Sequence, residues 1–214
     1  HLLGRRQRQM CIRDSPNGET LFTDMAGSTV FSVIDALWGF WQIPVHPDDV
    51  HKTSMVTQYG NYEWLCMPMG ATNSPSHFQR VMNTYLGHLP FVKVFVDDIC
   101  VHSSSVEEHK KHLIQVFDIL LRNKVAVKGT KMQLFRNSVK FLGHILSDKG
   151  TSPQASKIKV IEDWPDLTDV TDVRQFLGLV NFYRKYVYNF ADKAVPLTRP
   201  VSYTHLRAHE TRRY

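Results

Sequence analysis

Two adjacent aspartates stand inside an apolar run, and this feature constrains the fold more tightly than any other in the sequence. The run reads VKVFVDDICVH over residues 92–102 and places Asp97 and Asp98 between two apolar halves. Valines at every second position before the pair predict a strand, and the apolar residues after it predict another. Together they predict a β-hairpin with both acids at its tip. Because aspartate is also a common turn residue, the pair alone does not separate a solvated turn from a chemical site.

A third acid lies in a similar setting upstream. Asp35 follows Val33 and Ile34 in the segment FSVIDALWGF, where an unpaired carboxylate would be costly. Three carboxylates on neighbouring strands repel one another unless cations lie between them, and hard divalent cations prefer oxygen ligands. Two such ions about 4 Å apart are the arrangement that polymerases use for in-line phosphoryl displacement. The three acids therefore predict metal-dependent phosphate chemistry. A polymerase is one class of enzyme that fits, and a metal-dependent phosphohydrolase is the alternative.

Both ends of the chain carry segments that one inverted DNA repeat can encode. Residues 201–205 (VSYTH) can be encoded GTC TCT TAT ACA CAT, and the reverse complement of those codons encodes residues 10–14 (MCIRD). The two segments resemble the translated transposase adapter of short-read sequencing libraries. We therefore assign residues 1–15 and 200–214 to adapter sequence and leave them out of the functional argument. The alternative is a pair of natural tails.

Net charge carries little information once the ends are set aside. The whole chain has 26 basic and 20 acidic residues, for a net charge of +6. The two terminal segments hold seven of the basic residues and two of the acidic ones, which leaves a net charge of +1 for the rest. A local basic stretch remains, because no acid occurs from Ile119 to Ser147. It indicates either contact with nucleic acid or a solvated basic hairpin, and its members are Arg122, Lys124, Lys128, Lys131, Arg136 and Lys140.

Cysteine usage and hydropathy favour a protein inside the cell. Cys66 and Cys100 are the two cysteines outside the terminal segments, and their scattered positions suit a reducing compartment. No apolar run approaches the ~20 residues of a membrane span, and no secretory signal is visible. We therefore expect an intracellular location, in a cytoplasmic particle or the nucleus, and no membrane partner.

Hydrophobic periodicity predicts an α+β class, with an antiparallel sheet and packed helices first and a small helical lobe after a boundary near 148–152. Besides the hairpin at 92–102, extended segments are expected at 31–45, at 55–68 around a Gly60-Asn61 turn, at 124–128 and at 138–146. Helices are expected to begin at Ser74-Pro75, at the capping box of Ser105 with Glu108 and at Ser152-Pro153, and a further one to span about 171–188.

Most of the chain falls into six sequence blocks. They read FSVIDALWGFWQIPVHPDDVHKT (31–53), YGNYEWLCMPMGATNSPSHFQRVMN (59–83), VFVDDICVHS (94–103), VEEHKKHLIQVFDIL (106–120), FLGHILSDKG (141–150) and DVRQFLGLVNFYRKYVYNFADKAVPLT (172–198). In this order and at this spacing they resemble the reverse transcriptases of gypsy-like LTR retrotransposons, a family that includes retroviral polymerases. The resemblance implies the palm of a polymerase right hand with partial fingers over 16–147, and a small helical part of the thumb over 148–199.

The resemblance implies roles for the three acids and two of their neighbours. Asp35, Asp97 and Asp98 correspond to the catalytic carboxylates that bind metal, with Asp35 and Asp97 the more direct ligands. The backbone carbonyl of Ala36 is expected to face the metals and the nucleotide triphosphate. Phe40 corresponds to the aromatic gate under the sugar, whose bulk excludes a 2′-hydroxyl; a core phenylalanine is the alternative. The implied cofactor is a pair of Mg²⁺ ions, with Mn²⁺ as a substitute.

Other residues are implied in binding the substrates. Met69 and Gly70 belong to the loop beneath the incoming base. Template and primer contacts, including the primer-grip hairpin, are implied for Lys52, Lys131, Gly143 and His144. A solvated lysine at 52 and a structural histidine at 144 are the alternatives. Three positions depart from the family pattern but remain apolar: Trp38, Met69 and Phe95. We expect the fold to tolerate these residues and the rate or fidelity of the enzyme to change.

The resemblance implies an RNA-directed DNA polymerase that is a piece of a longer polyprotein. The implied partners are a primed RNA or DNA template, deoxynucleoside triphosphates and, in the parent polyprotein, RNase H, protease and integrase. The rival interpretation is a non-catalytic nucleic-acid-binding remnant of a decayed or domesticated element. All three acids are intact across an uninterrupted reading frame, which favours the enzyme.

Overall fold

The computed structural model describes residues 18–198, with side chains from Leu21 onward. The adapter assignment of residues 1–15 and 200–214 therefore lies outside the described residues. The chain divides into two units. One takes the described residues as far as Leu142 together with Leu146–Thr151, and the other takes Gly143–Ile145 and the described residues from Ser152 onward.

The described residues of the two units contain antiparallel strands and α-helices, so the predicted α+β class is confirmed. The strands are β1 (Val30–Asp35), β2 (Met55–Thr57), β3 (Gly60–Tyr62), β4 (Val92–Phe95), β5 (Asp98–Ser103), β6 (Gln133–Arg136), β7 (Ser138–Phe141), β8 (His144–Ser147) and β9 (Gly150–Pro153). The helices are α1 (Gly18–Thr23), α2 (Ser74–Leu86), α3 (Val106–Arg122), α4 (Ala155–Glu162) and α5 (Val170–Phe182). Short 3₁₀ helices lie at Gly39–Gln42, Pro47–Thr53, Gly129–Lys131 and Arg184–Tyr186.

A four-stranded sheet in the order β4-β5-β1-β6 lies at the centre of this unit. Strand β5 runs antiparallel to both β4 and β1, which confirms the predicted hairpin at 92–102. Strand β6 pairs with β1 through an irregular register between Phe31 and Val33. Two smaller sheets hold β2 with β3, and β7-β8-β9 in that order.

The central sheet is apolar on both faces because side chains alternate along its strands. One face, with Ile34, Ile99 and Val101, packs against α2 and α3 in the larger core. The opposite face, with Phe31, Val33 and Cys100, packs against side chains of α1, of the turn after it and of β7 and β8: Leu21, Met25, Val139, Phe141 and Leu146. Asp35 and Asp98 follow the alternation of this second face, so the acids come at the end of an apolar surface.

Helix α3 begins with half of the predicted capping box. Ser105 accepts a hydrogen bond from the backbone N–H of Glu108, as expected, but the Glu108 carboxylate binds Ser104 instead of returning to Ser105. The apolar spacing of the helix predicts one buried face, and Leu113, Val116 and Leu120 of that face are buried. Leu121, predicted to lie on the same face, is instead 77% exposed.

Several elements begin or end at residues other than those predicted from the sequence. The strand expected at 31–45 ends at Asp35, where the chain turns into a 3₁₀ helix. The β2–β3 turn lies at residues 58–59 instead of Gly60-Asn61. Helix α2 begins at Ser74, whereas a serine before a proline predicts Ser74 as the N-cap; the N-cap is Asn73. The segment 124–128 contributes an isolated bridge through Val127, whereas β6 was not predicted.

The second unit is mainly helical. Its helices α4 and α5 are followed by a 3₁₀ turn and by helical backbone at 190–198. The helix start predicted at Ser152-Pro153 is wrong, because both residues belong to β9 and Gln154 is the N-cap of α4. The helix predicted over 171–188 is shorter and ends at Phe182. No helix within residues 18–198 is both long and apolar enough to cross a membrane.

Candidate active site

The sheet register brings the three predicted acids together at one strand end. Asp35 is the last residue of β1 and Asp98 the first of β5, and the two are direct cross-strand partners. Asp97 precedes Asp98, and its carbonyl accepts a hydrogen bond of 2.9 Å from the backbone N–H of Ala36. The turn between β4 and β5 is therefore attached by its backbone to the residue that follows Asp35.

The carboxylates at this end of the sheet repel one another. Burial raises the pKa of Asp97 above its ordinary value, and the carboxylates of Asp35 and Asp98 raise it further. Burial also raises the pKa of Asp98, with Asp35 adding to the effect and Lys131 opposing it. Like charges this close disfavour ionisation of one another unless a cation compensates them. Within residues 18–198, Oδ1 of Asp97 is also one of two buried side-chain polar atoms without a hydrogen-bond partner.

Lys131 supplies a positive charge to the cluster. Its Nζ lies 3.0 Å from Oδ2 of Asp35, whose side chain is 23% exposed. Lys131 stands at the end of the 3₁₀ turn before β6. The resemblance implied template or primer contact for this lysine, and the structure places it beside the first acid.

The carboxylate oxygens of the three acids are of the type that binds a hard divalent cation, but the three side chains do not converge on one point. In residues 18–198, no three His, Cys, Asp or Glu side chains converge closely enough to hold a metal ion. Asp35 instead forms its ion pair with Lys131. The donor set nevertheless fits Mg²⁺, because it consists of carboxylate oxygens and includes the buried, unpartnered Oδ1 of Asp97. Asp35, Asp97 and Asp98 are thus the residues that could hold such an ion.

Gln79 supports the turn that carries the acid pair, a role the sequence analysis missed. Val96 has a φ of 50°, a left-handed conformation that is costly for a β-branched residue. The buried Gln79 accepts a 2.6 Å hydrogen bond from the Val96 N–H through Oε1. Its Nε2 donates to the Val94 carbonyl at 3.1 Å and to Asn83 at 2.9 Å. The available signal was a glutamine at a position of α2 that faces the apolar core.

Phe40 lies on the turn that follows Asp35. Its ring is partly buried and packs edge-to-face on Phe78, with ring centroids 5.6 Å apart. The preceding Gly39 is buried, and a Cβ at that position would collide with Oδ1 of Asp97. The turn therefore runs directly against the acid pair, with Phe40 one residue from that contact.

Three other predicted site residues belong to the first unit. Met69 and Gly70 lie in an exposed loop, and Lys52 lies in the 3₁₀ helix Pro47–Thr53. Met69 is 62% exposed, and Gly70 has a φ of 88°, which favours glycine. Lys52 forms an exposed ion pair with Asp49 within its own 3₁₀ helix, so the structure gives it a local partner. The structure does not bring these three residues together with the acids.

The predicted primer-grip residues belong to the second unit. His144 is buried, stacks on Phe182 with ring centroids 5.1 Å apart, and lies 3.0 Å from the hydroxyl of Tyr186 through Nδ1. Burial lowers the pKa of His144 to about 4, and Lys185 contributes. Gly143 has a φ of 77°, and a Cβ there would press on the Phe182 ring at 3.2 Å. Both residues thus have structural roles within the second unit.

Comparison with known proteins gives one consistent result. The family model described as "Reverse transcriptase (RNA-dependent DNA polymerase)" matches residues 4–146. Over 185 residues the chain is 36% identical to the "Retrovirus-related Pol polyprotein from transposon 297" of Drosophila melanogaster, covering 86% of this chain and 18% of that protein. It is 34% identical over 186 residues to the "Transposon Tf2-3 polyprotein" of Schizosaccharomyces pombe, covering 86% and 14%. The chain thus spans less than a fifth of these relatives.

Solved structures agree with the sequence matches. The foamy viral protease-reverse transcriptase dRH in complex with ds DNA has a TM-score of 0.82 at 30% identity, covering 87% of this chain and 33% of that one. The foamy viral protease-reverse transcriptase in complex with RNA/DNA hybrid has a TM-score of 0.79 at 30% identity, covering 88% and 26%. The family inferred from the six sequence blocks is confirmed. The chain belongs to the reverse transcriptases, the family of RNA-directed DNA polymerases.

Proposed function

We propose that residues 16–199 are the catalytic core of a retrotransposon reverse transcriptase: palm and partial fingers over 16–147, and part of the thumb over 148–199. In the proposed reaction a primer 3′-hydroxyl attacks the α-phosphate of a deoxynucleoside triphosphate. A new P–O bond forms, the bond between the α-phosphorus and the oxygen bridging to the β-phosphate breaks, pyrophosphate leaves with that electron pair, and the hydroxyl proton passes to solvent. The observation that carries the proposal is the register that pairs Asp35 with Asp98 and ties Asp97 to Ala36.

Two Mg²⁺ ions, or Mn²⁺ in their place, are the proposed cofactor. Asp35, Asp97 and Asp98 with the carbonyl of Ala36 would hold them, and the ions would favour ionisation of the primer hydroxyl and neutralise the triphosphate. The protein itself contributes three carboxylates at the end of β1, in the β4–β5 turn and at the start of β5. Its raised pKa values at Asp97 and Asp98 support this assignment, because a bound cation relieves the same repulsion.

The remaining proposed contacts concern the substrates. Phe40 is the proposed sugar gate, and the exposed loop of Met69 and Gly70 is proposed to lie under the incoming base. Lys131, Lys52, Gly143 and His144 are proposed to contact template and primer. A duplex partner is supported by the foamy viral relatives, which were solved with ds DNA and with RNA/DNA hybrid.

A longer parent protein is also part of the proposal. The relatives are transposon polyproteins that are much longer than this chain, so protease, RNase H and integrase are the proposed neighbours in the parent. We also propose an intracellular setting for the parent protein, in a cytoplasmic particle or the nucleus. Residues 1–15 and 200–214 remain assigned to adapter sequence, and because the family match starts at residue 4, the exact junction needs the genomic DNA.

Single-nucleotide primer extension with Mg²⁺ tests the proposal. The full chain should extend an annealed primer with a deoxynucleotide, and Asp97→Asn should reduce the rate by at least about a hundredfold because a ligand charge is lost. Asp118→Asn, an exposed acid paired with Arg122 on α3, is the matched control and should keep the wild-type rate. A chain that binds primer–template with the affinity of its Asp97→Asn variant but never extends it would support the non-catalytic remnant instead.

A further inference from the structure

The turn that carries Phe40 has a backbone that needs outside support. Trp38 has a φ of 57° and Gly39 a φ of 30°, so two consecutive residues depart from the regions that L-residues prefer. A non-glycine residue such as Trp38 loses about 1–2 kcal/mol in a left-handed conformation. Trp38 is also 66% exposed, so burial of its ring does not offset that cost. Contacts elsewhere in the turn must hold this geometry.

The side chain of Gln42 makes those contacts. Its Nε2 donates to the carbonyl of Leu37, at the start of the turn, and to the carbonyl of Ala126 at 3.0 Å. Its Oε1 accepts the backbone N–H of Ala126 at 2.6 Å. The Leu37 N–H donates to the same Ala126 carbonyl at 2.9 Å. The carboxamide thus closes the turn from Leu37 to Gln42 and attaches it to the segment beside β1.

The donor and acceptor pattern admits one orientation of the amide. Two carbonyl oxygens face one end of the group and one N–H faces the other, so the NH₂ and the oxygen of Gln42 cannot be exchanged. Both amide hydrogens and the oxygen are in use. A glutamate of nearly the same shape would keep the acceptor but turn a carboxylate oxygen toward two carbonyls. Position 42 therefore requires a carboxamide, beyond any need for polarity or size.

We propose that Gln42 is the positioning residue for Phe40, and that it sets the sugar selectivity of the enzyme through the geometry of this turn. The proposal rests on the proposed function, because Phe40 is assigned there as the sugar gate. Its structural part stands independently. The segment that Gln42 closes lies between Asp97, against which Gly39 packs, and residues 125–128, so a shift of the turn moves the Phe40 ring relative to the acids.

Amide hydrogen exchange tests the structural part on the full 214-residue chain. Gln42→Glu and Gln42→Ala should speed exchange across residues 36–43 by at least about tenfold, since two hydrogen bonds to backbone carbonyls are removed. Gln115→Glu, an exposed position on α3, makes the same chemical change and should leave that segment unchanged. If residues 36–43 exchange at the wild-type rate in both position-42 variants, the turn does not depend on Gln42 and the proposal is overturned.

Nucleotide selectivity tests the functional part. The ratio of kcat/KM for a deoxynucleotide to that for the matching ribonucleotide should fall about tenfold in Gln42→Glu, mainly through a higher kcat/KM for the ribonucleotide, because a displaced ring no longer excludes the 2′-hydroxyl. Faster exchange with an unchanged ratio would show that Gln42 only stabilises the fold, and would overturn the selectivity assignment. If the wild-type chain extends no primer, the proposed polymerase function fails for this chain, while the exchange measurement still decides whether Gln42 holds the turn.

Discussion

At the scale of single residues, glutamines that bind backbone groups hold both segments that adjoin the acids. Val96, directly before Asp97, has a left-handed backbone, and Gln79 bonds both its N–H and the carbonyl of Val94. Gln42 does the same for the turn after Asp35. The acids are thereby positioned by groups that need not touch the substrate.

Gln79→Glu should destabilise the protein by about 2 kcal/mol. The carboxylate cannot donate to the Val94 carbonyl or to Asn83, and the change leaves a charged group at a position that is 1% exposed. The measurement is the free energy of unfolding in urea at pH 7. Gln115→Glu, at an exposed position of α3, provides the reference and should change stability by less than about 0.5 kcal/mol. A loss no larger than that of the reference would mean that the Val96 turn is stable without Gln79.

Phe40→Val should admit ribonucleotides. An aromatic ring under the sugar leaves room for hydrogen at C2′ but not for a hydroxyl, so it discriminates by exclusion and not by hydrogen bonding. We expect the preference for a deoxynucleotide over the matching ribonucleotide, as a ratio of kcat/KM, to fall by about tenfold or more. The assay is single-nucleotide extension with both sugars at each base. A variant that extends with deoxynucleotides and still rejects ribonucleotides as the parent does would leave Phe40 as a core residue packed on Phe78.

At the scale of elements, a chain of hydrogen bonds joins α3 to the central sheet. The Ser32 hydroxyl accepts the Phe135 N–H at 3.0 Å, so its own proton is available for Nε2 of His109 at 2.7 Å. Nδ1 of His109 then donates to Ser103 at 2.8 Å, and Ser103 donates to Nδ1 of His112, also at 2.8 Å. Every step uses one proton, which requires a neutral His109. The chain connects β1, β5 and β6 to α3 at one buried point.

The free energy of unfolding should fall as the pH drops below about 6.5. Burial lowers the pKa of His109, with His112 adding to the effect, and burial followed by Lys93 lowers that of His102 to about 4. The unfolded chain takes up protons at the ordinary histidine pKa while the folded chain resists them. Each such histidine contributes a slope of up to about 1.4 kcal/mol per pH unit below pH 6.5. Urea unfolding between pH 7.5 and 5 measures the total.

A matched pair of variants isolates the contribution of His109. His109→Gln should give a shallower slope, whereas His77→Gln, at an exposed position of α2, should keep the wild-type slope. Asp97 and Asp98 act in the opposite direction: their pKa values are raised in the folded state, so they favour folding as the pH falls toward those values. Because both variants retain these acids, the comparison removes their effect. Equal slopes for wild type and His109→Gln would contradict the assigned role.

At the scale of the whole molecule, the sequence predicts the strand pairing, because alternating apolar residues mark the strands. It does not predict contacts between side chains and groups that are far apart in the sequence. The pairing of Asp35 with the Asp97-Asp98 hairpin follows from two apolar runs that must share a sheet. The ion pair of Lys131 with Asp35 joins residues 96 positions apart and has no local signal. The same holds for Gln42 and Ala126, 84 positions apart. Boundaries such as the end of β1 depend on these contacts, which is why the predicted strand over 31–45 was too long.

The net charge of the proposed core, residues 16–199, differs from that of the full chain. A chain of residues 16–199 has a net charge of +1 in place of +6, because seven arginines and two acidic residues are removed with the two terminal segments. For each duplex phosphate that the protein no longer neutralises, the logarithmic slope of affinity against salt concentration becomes shallower by about 0.9. The trimmed chain should therefore bind a blunt duplex less tightly and with a shallower salt dependence. Primer extension, which depends on the acids, should stay at the level of the full chain.

The same trimmed chain tests the adapter assignment of the ends. Residues 1–15 and 200–214 should add nothing to the core, so thermal unfolding of 16–199 should occur within about 2 °C of the full chain. Sequencing the locus again from source DNA should replace the codons for both segments with different ones. A clearly lower unfolding temperature, or recovery of the same codons from genomic DNA, would show that the ends are natural parts of the protein. In that case the full net charge of +6 would again count as evidence about its partners.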